Sequence, residues 1–267
     1  MTKKEEFERD QAIRGSFEFD ILKMYFGDDY ISKSGVKIRE PSIGEILEIG
    51  EKSFYEMLNV FVTNPTQYRL PLWKMGADWN KISDFELFCI LFNNINAEVS
   101  KAIFPETDFK NLNLYSEKID EENSQIVLAN KDGTLIIRNI DYLEISQYLR
   151  ALFFMNPKVE RAKGKATKEA IIWEDEELLR KRKEEGFSSN LLPTISSCIN
   201  HPGFKYNLQE LKELGIYAFM DSVQRLQVYE STRALMGGMY SGMVDLKGVP
   251  KENFNFMRDI SINAKTK

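Results

Sequence analysis

Histidine and cysteine are the scarcest chemically reactive residues in this chain. His201 is the single histidine among 267 residues, and Cys89 and Cys198 are the two cysteines. One histidine leaves no H-E-x-x-H motif and no paired Cys/His set for zinc, and it limits a Ser-His-Asp arrangement to one base. The G-x-x-x-x-G-K-[ST] and G-x-G-x-x-G phosphate-binding motifs are also missing. The sequence therefore predicts a protein that is not an enzyme and holds no cofactor or metal.

These three residues have ordinary structural interpretations. His201 precedes Pro202 and Gly203 in a loop between two predicted helices, where a hydrogen-bonding role is favoured over a catalytic one. Cys89 lies in an apolar run and Cys198 follows two serines. Both cysteines are expected to be buried, reduced thiols of an intracellular protein rather than a disulfide.

Long apolar runs and a net positive charge are missing as well. No run approaches the roughly 18 residues that a membrane span needs, and the charged start Met1–Glu6 lacks the apolar segment of a secretory signal. The formal net charge is −5, whereas a general nucleic-acid binder normally carries a basic face. These features predict a cytoplasmic protein whose partners include neither a membrane nor a specific nucleic acid.

The stretch 187–240 carries the clearest pattern in the sequence. Asn207 can cap a helix, with Glu210 as its reciprocal partner three residues later. Residues 216–236 contain neither glycine nor proline, and Gly237-Gly238 indicates a stop. The pattern predicts one long helix over 207–236. Its apolar face includes Leu211, Leu214, Ala218, Phe219, Val223, Leu226 and Tyr229.

The same helix supplies the candidate partner-binding residues. A strip of small side chains allows another helix to approach closely, and it either packs in the core or forms a docking groove for a partner helix. The methionines and tyrosine at the helix end form either a self-folding cap or an adaptable apolar contact for a partner chain. The candidates are Gly215, Ala218, Ser222, Met236, Met239 and Tyr240.

The apolar spacing predicts a mainly α-helical fold with a small antiparallel β element. Short β-like runs lie within 110–138, and Lys131-Asp132-Gly133 is a hairpin-turn signal. The expected division is an N-terminal helical domain with small β hairpins (1–156), a charged linker and helix (157–186) and a C-terminal helical region (187–267). Expected core residues are Phe88, Leu91, Leu149, Phe153, Leu211, Phe219 and Leu226.

Local signals add detail to the N-terminal domain. Ser42, with Glu45 three residues on, predicts a capped helix, and Asp84 predicts the cap of a strongly apolar one. A hairpin is expected over 30–38 around Ser32-Lys33-Ser34-Gly35. The acidic pairs Asp28-Asp29 and Glu121-Glu122 point to opposite faces of an extended chain, so neither predicts a metal site.

The charged region has two parts. The basic stretch 158–168 could touch phosphates, but it lacks the interleaved aromatic residues of single-strand binders, so a solvated flexible segment is favoured. Farther on, the acidic block 174–177 and the basic block 180–183 face each other at helical spacing. They predict a solvated helix with ion pairs within itself.

Two of these patterns resemble those of a known family. Residues 36–46 read as a short strand, a proline and a capped helix, and residues 207–242 read as a helical C-terminal part after a charged region. They are similar to mostly helical tail assembly chaperones and tail-morphogenesis proteins of long-tailed phages and prophages of Gram-positive bacteria. The resemblance covers roughly residues 30–65 and 140–245. It implies a non-enzymatic protein that holds tape-measure or tube subunits before polymerisation, and it carries over no catalytic residue.

Other functions stay open at this point. A structural virion subunit of the tail or connector would have arms ordered only by its neighbours, for which 1–16 and 157–170 are candidates. A metal-dependent nucleic-acid enzyme that uses acidic residues is the least favoured alternative. A homo-oligomer is compatible with each of these functions. The expected location is the cytoplasm of the bacterial host, or the virion if the protein is structural.

Overall fold

The computed structural model describes residues 17–120, 124–242 and 247–260. These residues form a mainly α-helical fold with a two-stranded and a three-stranded antiparallel sheet, which confirms the predicted fold class. The predictions for residues 1–16 and for Glu121-Glu122 lie outside the described residues. Within the described ranges, no helix combines the length and the apolar character needed to cross a lipid bilayer.

The elements follow one another in a simple order. The first half contains α1 (Ile21–Tyr25), β1 (Tyr30–Ile31), β2 (Lys37–Ile38), α2 (Ile43–Ile49), α3 (Glu51–Val62), α4 (Arg69–Lys74), α5 (Asp84–Leu91) and α6 (Ala97–Ser100). The second half contains β3 (Leu112–Lys118), β4 (Ser124–Asn130), β5 (Ile136–Ile137), α7 (Asn139–Leu152), α8 (Lys165–Glu185), α9 (Leu191–Ile199), α10 (Leu208–Glu213) and α11 (Ile216–Ser241). Short 3₁₀ helices lie at Trp79–Lys81, Phe92–Asn94, Phe109–Asn111 and Lys251–Phe254.

Capping explains where two of these helices begin. The Ser42 hydroxyl accepts a bond from the Glu45 N–H over 3.2 Å, and the Ser42 N–H donates to the Glu45 carboxylate over 2.8 Å. This confirms the predicted cap of α2. The cap predicted at Asp84 is wrong, because Ser83 caps α5 through a reciprocal pair with Glu86. Asp84 instead points into the core.

A buried ion pair accounts for the position of Asp84. Its Oδ2 atom accepts a bond from the Arg150 guanidinium of α7 over 3.0 Å. Arg150 also donates to the carbonyls of Val62 and Thr63, over 2.9 and 3.1 Å, at the end of α3. One guanidinium thus joins three helices, and its charge is neutralised where an isolated charge would be costly.

Both β regions match their sequence signals. Residues Tyr30 and Ile31 pair with Ile38 and Lys37, which confirms the hairpin over 30–38. β3 and β4 pair one to one from Leu112–Asn130 to Lys118–Ser124, and β5 pairs with the end of β4. Gly133 has a φ of 68° in the β4–β5 turn, a conformation that glycine adopts at little cost.

The predicted single helix over 207–236 begins where expected but is wrong in its interior and at its C-terminal end. It is two helices, α10 and α11, separated at Leu214-Gly215. The Leu214 carbonyl accepts the Ile43 N–H over 3.0 Å, and the Ile216 N–H donates to the Pro41 carbonyl over 3.1 Å. These groups bond to the start of α2 in place of a helical ladder.

The far end of α11 extends beyond the predicted stop. The helix passes through Gly237-Gly238 and ends at Gly242, which has a φ of 69°. Glycine inside a helix costs only about 1 kcal/mol, which a helix of 26 residues can absorb. The cap predicted at Asn207 is confirmed, since its side chain accepts the N–H groups of Gln209 and Glu210.

The charged region lies along the body of the protein. The Asn64 and Asn80 side-chain amides donate to the carbonyls of Lys158 and Ala162, over 3.0 and 2.8 Å. In α8, Arg180 pairs with Glu177 and Glu184, as the predicted ion pairs within the helix require. The acidic residues Asp175 and Glu176 pair instead with Arg69 and Lys74 of α4. Ion pairs therefore fasten α8 to α4.

One apolar cluster draws on all three predicted regions. Phe88, Leu149 and Phe219 are among its fully buried members, and Ile172 joins it from α8. The core predictions for Phe88, Leu91, Leu149, Phe153, Leu211 and Phe219 are confirmed. Leu226, which was also predicted to lie in the core, is instead half-buried and packs on the edge of the cluster.

Candidate partner-binding surface

A groove of about 410 Å³ lies between α9 and the middle of α11. We call it the α9–α11 groove. Its floor is apolar and its rim carries hydroxyl, amide, imidazole and carboxylate groups, the combination typical of binding grooves. The lining residues are Pro193, Thr194, Ser197, Cys198, His201, Val223, Leu226, Gln227 and Glu230.

The α9 wall of this groove is anchored by a distant carboxylate. Glu51 of α3 accepts the N–H groups of Asn190 and Leu191 over 2.8 and 3.1 Å, and its other oxygen accepts the Ser189 hydroxyl. Asn190 is the N-cap residue of α9, but its own side chain makes no capping hydrogen bond. Glu51 therefore acts as the cap of α9 from another helix and holds one wall of the groove to the body.

The α11 wall is anchored in the same manner by Glu40. Its carboxylate accepts the Tyr217 N–H over 2.6 Å at the start of α11, where the helix dipole favours negative charge. Burial raises the pKa of Glu40 to about 7, although bonds from the Tyr217 and Ala218 N–H groups act in the opposite direction. The first turn of α11 is thereby fixed against β2.

His201 shapes the loop between the two walls. Its Nδ1 atom accepts the Gly203 N–H over 3.0 Å, and its Nε2 atom lies 3.5 Å from a Glu230 oxygen. Because Nδ1 is the acceptor, the neutral ring carries its proton on Nε2, facing Glu230. Both ring nitrogens are thus engaged in contacts within the chain, as the structural interpretation of His201 expects.

Cys198 contributes to the groove floor as an apolar side chain. It is buried, and burial raises the pKa of its thiol. The thiol therefore stays protonated at neutral pH, which disfavours a role as nucleophile or soft metal ligand. Both cysteines are free, as predicted, but Cys89 is half-buried rather than buried.

A second hollow of about 310 Å³ lies on the other side of Leu226. We call it the aromatic hollow. The Phe204 and Tyr206 rings are 5.5 Å apart, and the Tyr229 and Phe256 rings are 6.2 Å apart. Its lining residues are Gly203, Phe204, Lys205, Tyr206, Ser222, Arg225, Leu226, Tyr229 and Phe256. Leu226 thus separates two concave surfaces on one helix.

The structure divides the predicted small-residue strip. A Cβ at Gly215 would overlap the Glu40 carboxyl group, and Ala218 is buried, so the chain itself covers both. Ser222 lines the aromatic hollow, and its hydroxyl donates to the Ala218 carbonyl over 2.8 Å. Of the strip, Ser222 alone lies on a concave surface.

The other three candidates lie in the last turns of α11. Met236 is half-buried, whereas Met239 and Tyr240 are exposed, Tyr240 by 79%. The helix continues through all three and is capped by Gly242. They form an exposed helical end beyond the α9–α11 groove, and the residues that line either hollow do not include them.

Sequence reasoning missed α9 as a wall of the groove. It placed Val223 and Leu226 on the apolar face of the long helix, and that signal was correct. The spacing of Val223, Leu226, Gln227 and Glu230 also indicates one helical side. Nothing in the sequence of α9 indicates that α9 lies opposite this side of α11. The position of α9 is set by Glu51, which is 140 residues away in the sequence.

Two of the acidic residues near the sequence candidates form ion pairs. Asp29 pairs with Lys37 over 2.9 Å and Asp175 with Arg69. Across the described part of the chain, no three or more His, Cys, Asp or Glu side chains are grouped so that they could hold a metal ion.

Comparison with known proteins adds no relative to this picture. No protein-family model matches the chain, and no curated protein or solved structure matches it.

Proposed function

We propose that this protein is a non-enzymatic binding protein that holds a helical segment of a partner in the α9–α11 groove. The observation that carries the proposal is the pair of anchored walls. Glu51 and Glu40 fix α9 and α11 to the body at their first turns, and the space between them is lined by apolar side chains with a polar rim. A third amphipathic helix can pack into such a space with its apolar face inward.

The resemblance to phage tail proteins suggests which partner this is. A tail assembly chaperone must cover apolar stretches of long helical tape-measure or tube proteins before they polymerise. A rigid groove on an acidic protein suits this task, because the formal net charge of −5 helps to keep the complex in solution. The proposed role is therefore in tail morphogenesis, in the cytoplasm of the bacterial host.

Co-expression with a tape-measure protein from the same genome tests this role. We expect the two proteins to elute together in size-exclusion chromatography. Leu226→Asp should abolish co-elution, because it puts a charge on the groove floor. Leu208→Asp makes the same change at an exposed site on α10 and should leave co-elution unchanged. Separate elution of the wild-type proteins would contradict the proposal.

A second variant guards against loss of folding in Leu226→Asp. Ser197 is exposed on the groove rim, so Ser197→Trp fills the groove without removing a core side chain. It should weaken co-elution at an unchanged melting temperature. A Ser197→Trp protein that binds the tape-measure protein as the wild type does would show that the groove is not the binding surface.

A structural virion subunit is the alternative proposal. Such a subunit would persist in mature particles, so an immunoblot of purified virions separates it from a chaperone. The predicted arm over 157–170 receives less support, because Asn64 and Asn80 hold its backbone and residues from 165 onwards belong to α8. The metal-dependent enzyme is tested by calorimetry with Mg²⁺ and Mn²⁺, in which binding heat would favour it.

A further inference from the structure

The outer edge of β3 presents strand backbone to solvent. The sheet order is β3-β4-β5, so β3 lies at an edge and β4 is the one described strand that pairs with it. Residues 113–116 are all exposed. In an antiparallel sheet every second residue of an edge strand directs its N–H and C=O away from its neighbour. These groups are available to another strand.

This edge lacks the usual devices that prevent sheet extension. Natural edges are protected by proline, bulges, short length or inward charges. β3 has seven residues, contains no proline and pairs with β4 one to one without a bulge. Its carboxylate, Glu117, is neutralised by Arg138 over 2.6 and 2.8 Å. Lys118 is the remaining charge, and it lies at the strand end.

Apolar side chains surround the same edge. Leu114 and Ile126 lie on the face of the sheet that carries buried Leu128, but they are 47% and 52% exposed. Tyr115 lies on the opposite face, beside Val127, and is 45% exposed. The core face of the hairpin therefore extends beyond the body that covers Leu128. A strand added at β3 would reduce the exposure of both faces.

We propose that β3 is a self-association edge, to which a second copy of this chain adds its own β3 antiparallel about a twofold axis at Tyr115. The two three-stranded sheets then form one six-stranded sheet. An isologous pair of this kind uses the same residues on both copies and closes after two.

The strand sequence favours this register. It places Tyr115 opposite Tyr115 of the second copy, and aromatic cross-strand pairs are favourable. Leu114 faces Ser116 of the second copy, next to its Ile126, and Asn113 faces Glu117. A register centred on Glu117 would instead bring the two Glu117–Arg138 ion pairs together at the axis, without an aromatic pair there. Because one strand pair buries little area, the dimer should be weak and dependent on concentration.

Sedimentation velocity of the full chain over a wide concentration range tests the proposal. We expect the wild type and Tyr115→Phe to dimerise with rising concentration, and Tyr115→Lys to stay monomeric because like charges meet at the axis. Equal melting temperatures would show that all three proteins fold. A wild type that is monomeric throughout, or a Tyr115→Lys protein that dimerises equally, overturns the proposal.

Cysteine trapping tests the register. Tyr115→Cys puts two thiols opposite each other and should give a covalent dimer under mild oxidation. In Lys118→Cys the two thiols are six strand positions apart, about 20 Å, and should give none above the wild-type background from Cys89 and Cys198. Equal trapping in the two variants overturns the register. None of these outcomes depends on the α9–α11 groove, so they are separate from the test of the proposed function.

Discussion

Glu40 lies in an environment that is unusual for a carboxylate. It lies just after β2, yet its carboxylate caps α11, which begins 176 positions later at Ile216. The site is crowded, since Cβ atoms at Gly27 or Gly215 would meet its carboxyl group. Burial and capping have opposite effects on the charge, and burial prevails, with a pKa of about 7.

The raised pKa predicts a particular pH dependence of stability. Between about pH 4.5 and pH 7 the folded state holds the Glu40 proton and the unfolded state has lost it. The contribution to the free energy of unfolding is therefore complete below about pH 4.5 and is lost as the pH rises through about 7. We expect a contribution on the order of 1 to 3 kcal/mol.

Denaturant titrations of the wild type and Glu40→Gln at several pH values measure this contribution. Gln keeps an oxygen that accepts the Tyr217 N–H but has no titrating proton. The difference in stability between the two proteins should shift in favour of Glu40→Gln as the pH rises. A difference that does not vary with pH would contradict the assigned environment.

Gly215, which directly precedes α11, and Gly237 within α11 should respond to alanine in opposite directions. Gly215→Ala should destabilise the protein by about 1 to 3 kcal/mol, because the new methyl group overlaps the Glu40 carboxylate. Gly237 is helical with open space around its Cβ position, so Gly237→Ala should stabilise the protein by about 0.5 to 1 kcal/mol. Thermal unfolding of both variants checks the pair, and equal signs would contradict it.

At the scale of elements, α8 is held differently from its neighbours. It has 21 residues, and Ile172 is the buried one. Arg69 of α4 forms two bonds to Asp175 and one to Glu160, and Lys168 pairs with Asp78. Most of the attachment of α8 is thus ionic, whereas α7 and the start of α11 are packed in the core.

The ionic attachment predicts a salt-sensitive helix. At about 1 M NaCl the screening length falls to about 3 Å, so the amides of α8 should exchange hydrogen several-fold faster than at low salt. Arg69→Met should show fast exchange at both salt concentrations. Arg180→Met is the matched control, because the ion pairs of Arg180 with Glu177 and Glu184 lie within α8. Its exchange should retain the salt response. Exchange that is insensitive to salt in the wild type would contradict ionic docking.

At the scale of the whole molecule, α11 joins the core to the binding surface. Phe219 is fully buried near its start, and Tyr229 is half exposed beside the aromatic hollow. The packing of α11 in the core therefore fixes the position of both concave surfaces, the α9–α11 groove and the aromatic hollow.

The same substitution at these two positions tests that division. Phe219→Asp should destabilise the fold by several kcal/mol, because it buries a carboxylate among apolar groups. Tyr229→Asp should change the melting temperature little. Circular dichroism and thermal unfolding of both variants measure the contrast. An unchanged melting temperature in Phe219→Asp would show that the buried face of α11 is assigned incorrectly.

The sequence by itself determined the features whose partners are close along the chain. The caps Ser42–Glu45 and Asn207–Glu210 bridge three residues each, and the turn at Gly133 needs only its own φ. Periodicity placed Phe88, Leu149 and Phe219 in the core, because the buried face of a helix repeats along its own sequence. These features yield the fold class.

Only the tertiary structure decided where helices end and which surfaces stay open. Arg150 draws Asp84 inward across 66 residues, Glu51 caps α9 across 140, and Glu40 contacts α11 across 177. The sequence around Gly215 predicts a docking groove for a helix, but the Glu40 carboxyl group occupies the space beside this glycine. The groove beside Leu226 exists because α9 is held opposite α11. Such contacts leave no periodic signal, since each depends on two distant segments meeting in space.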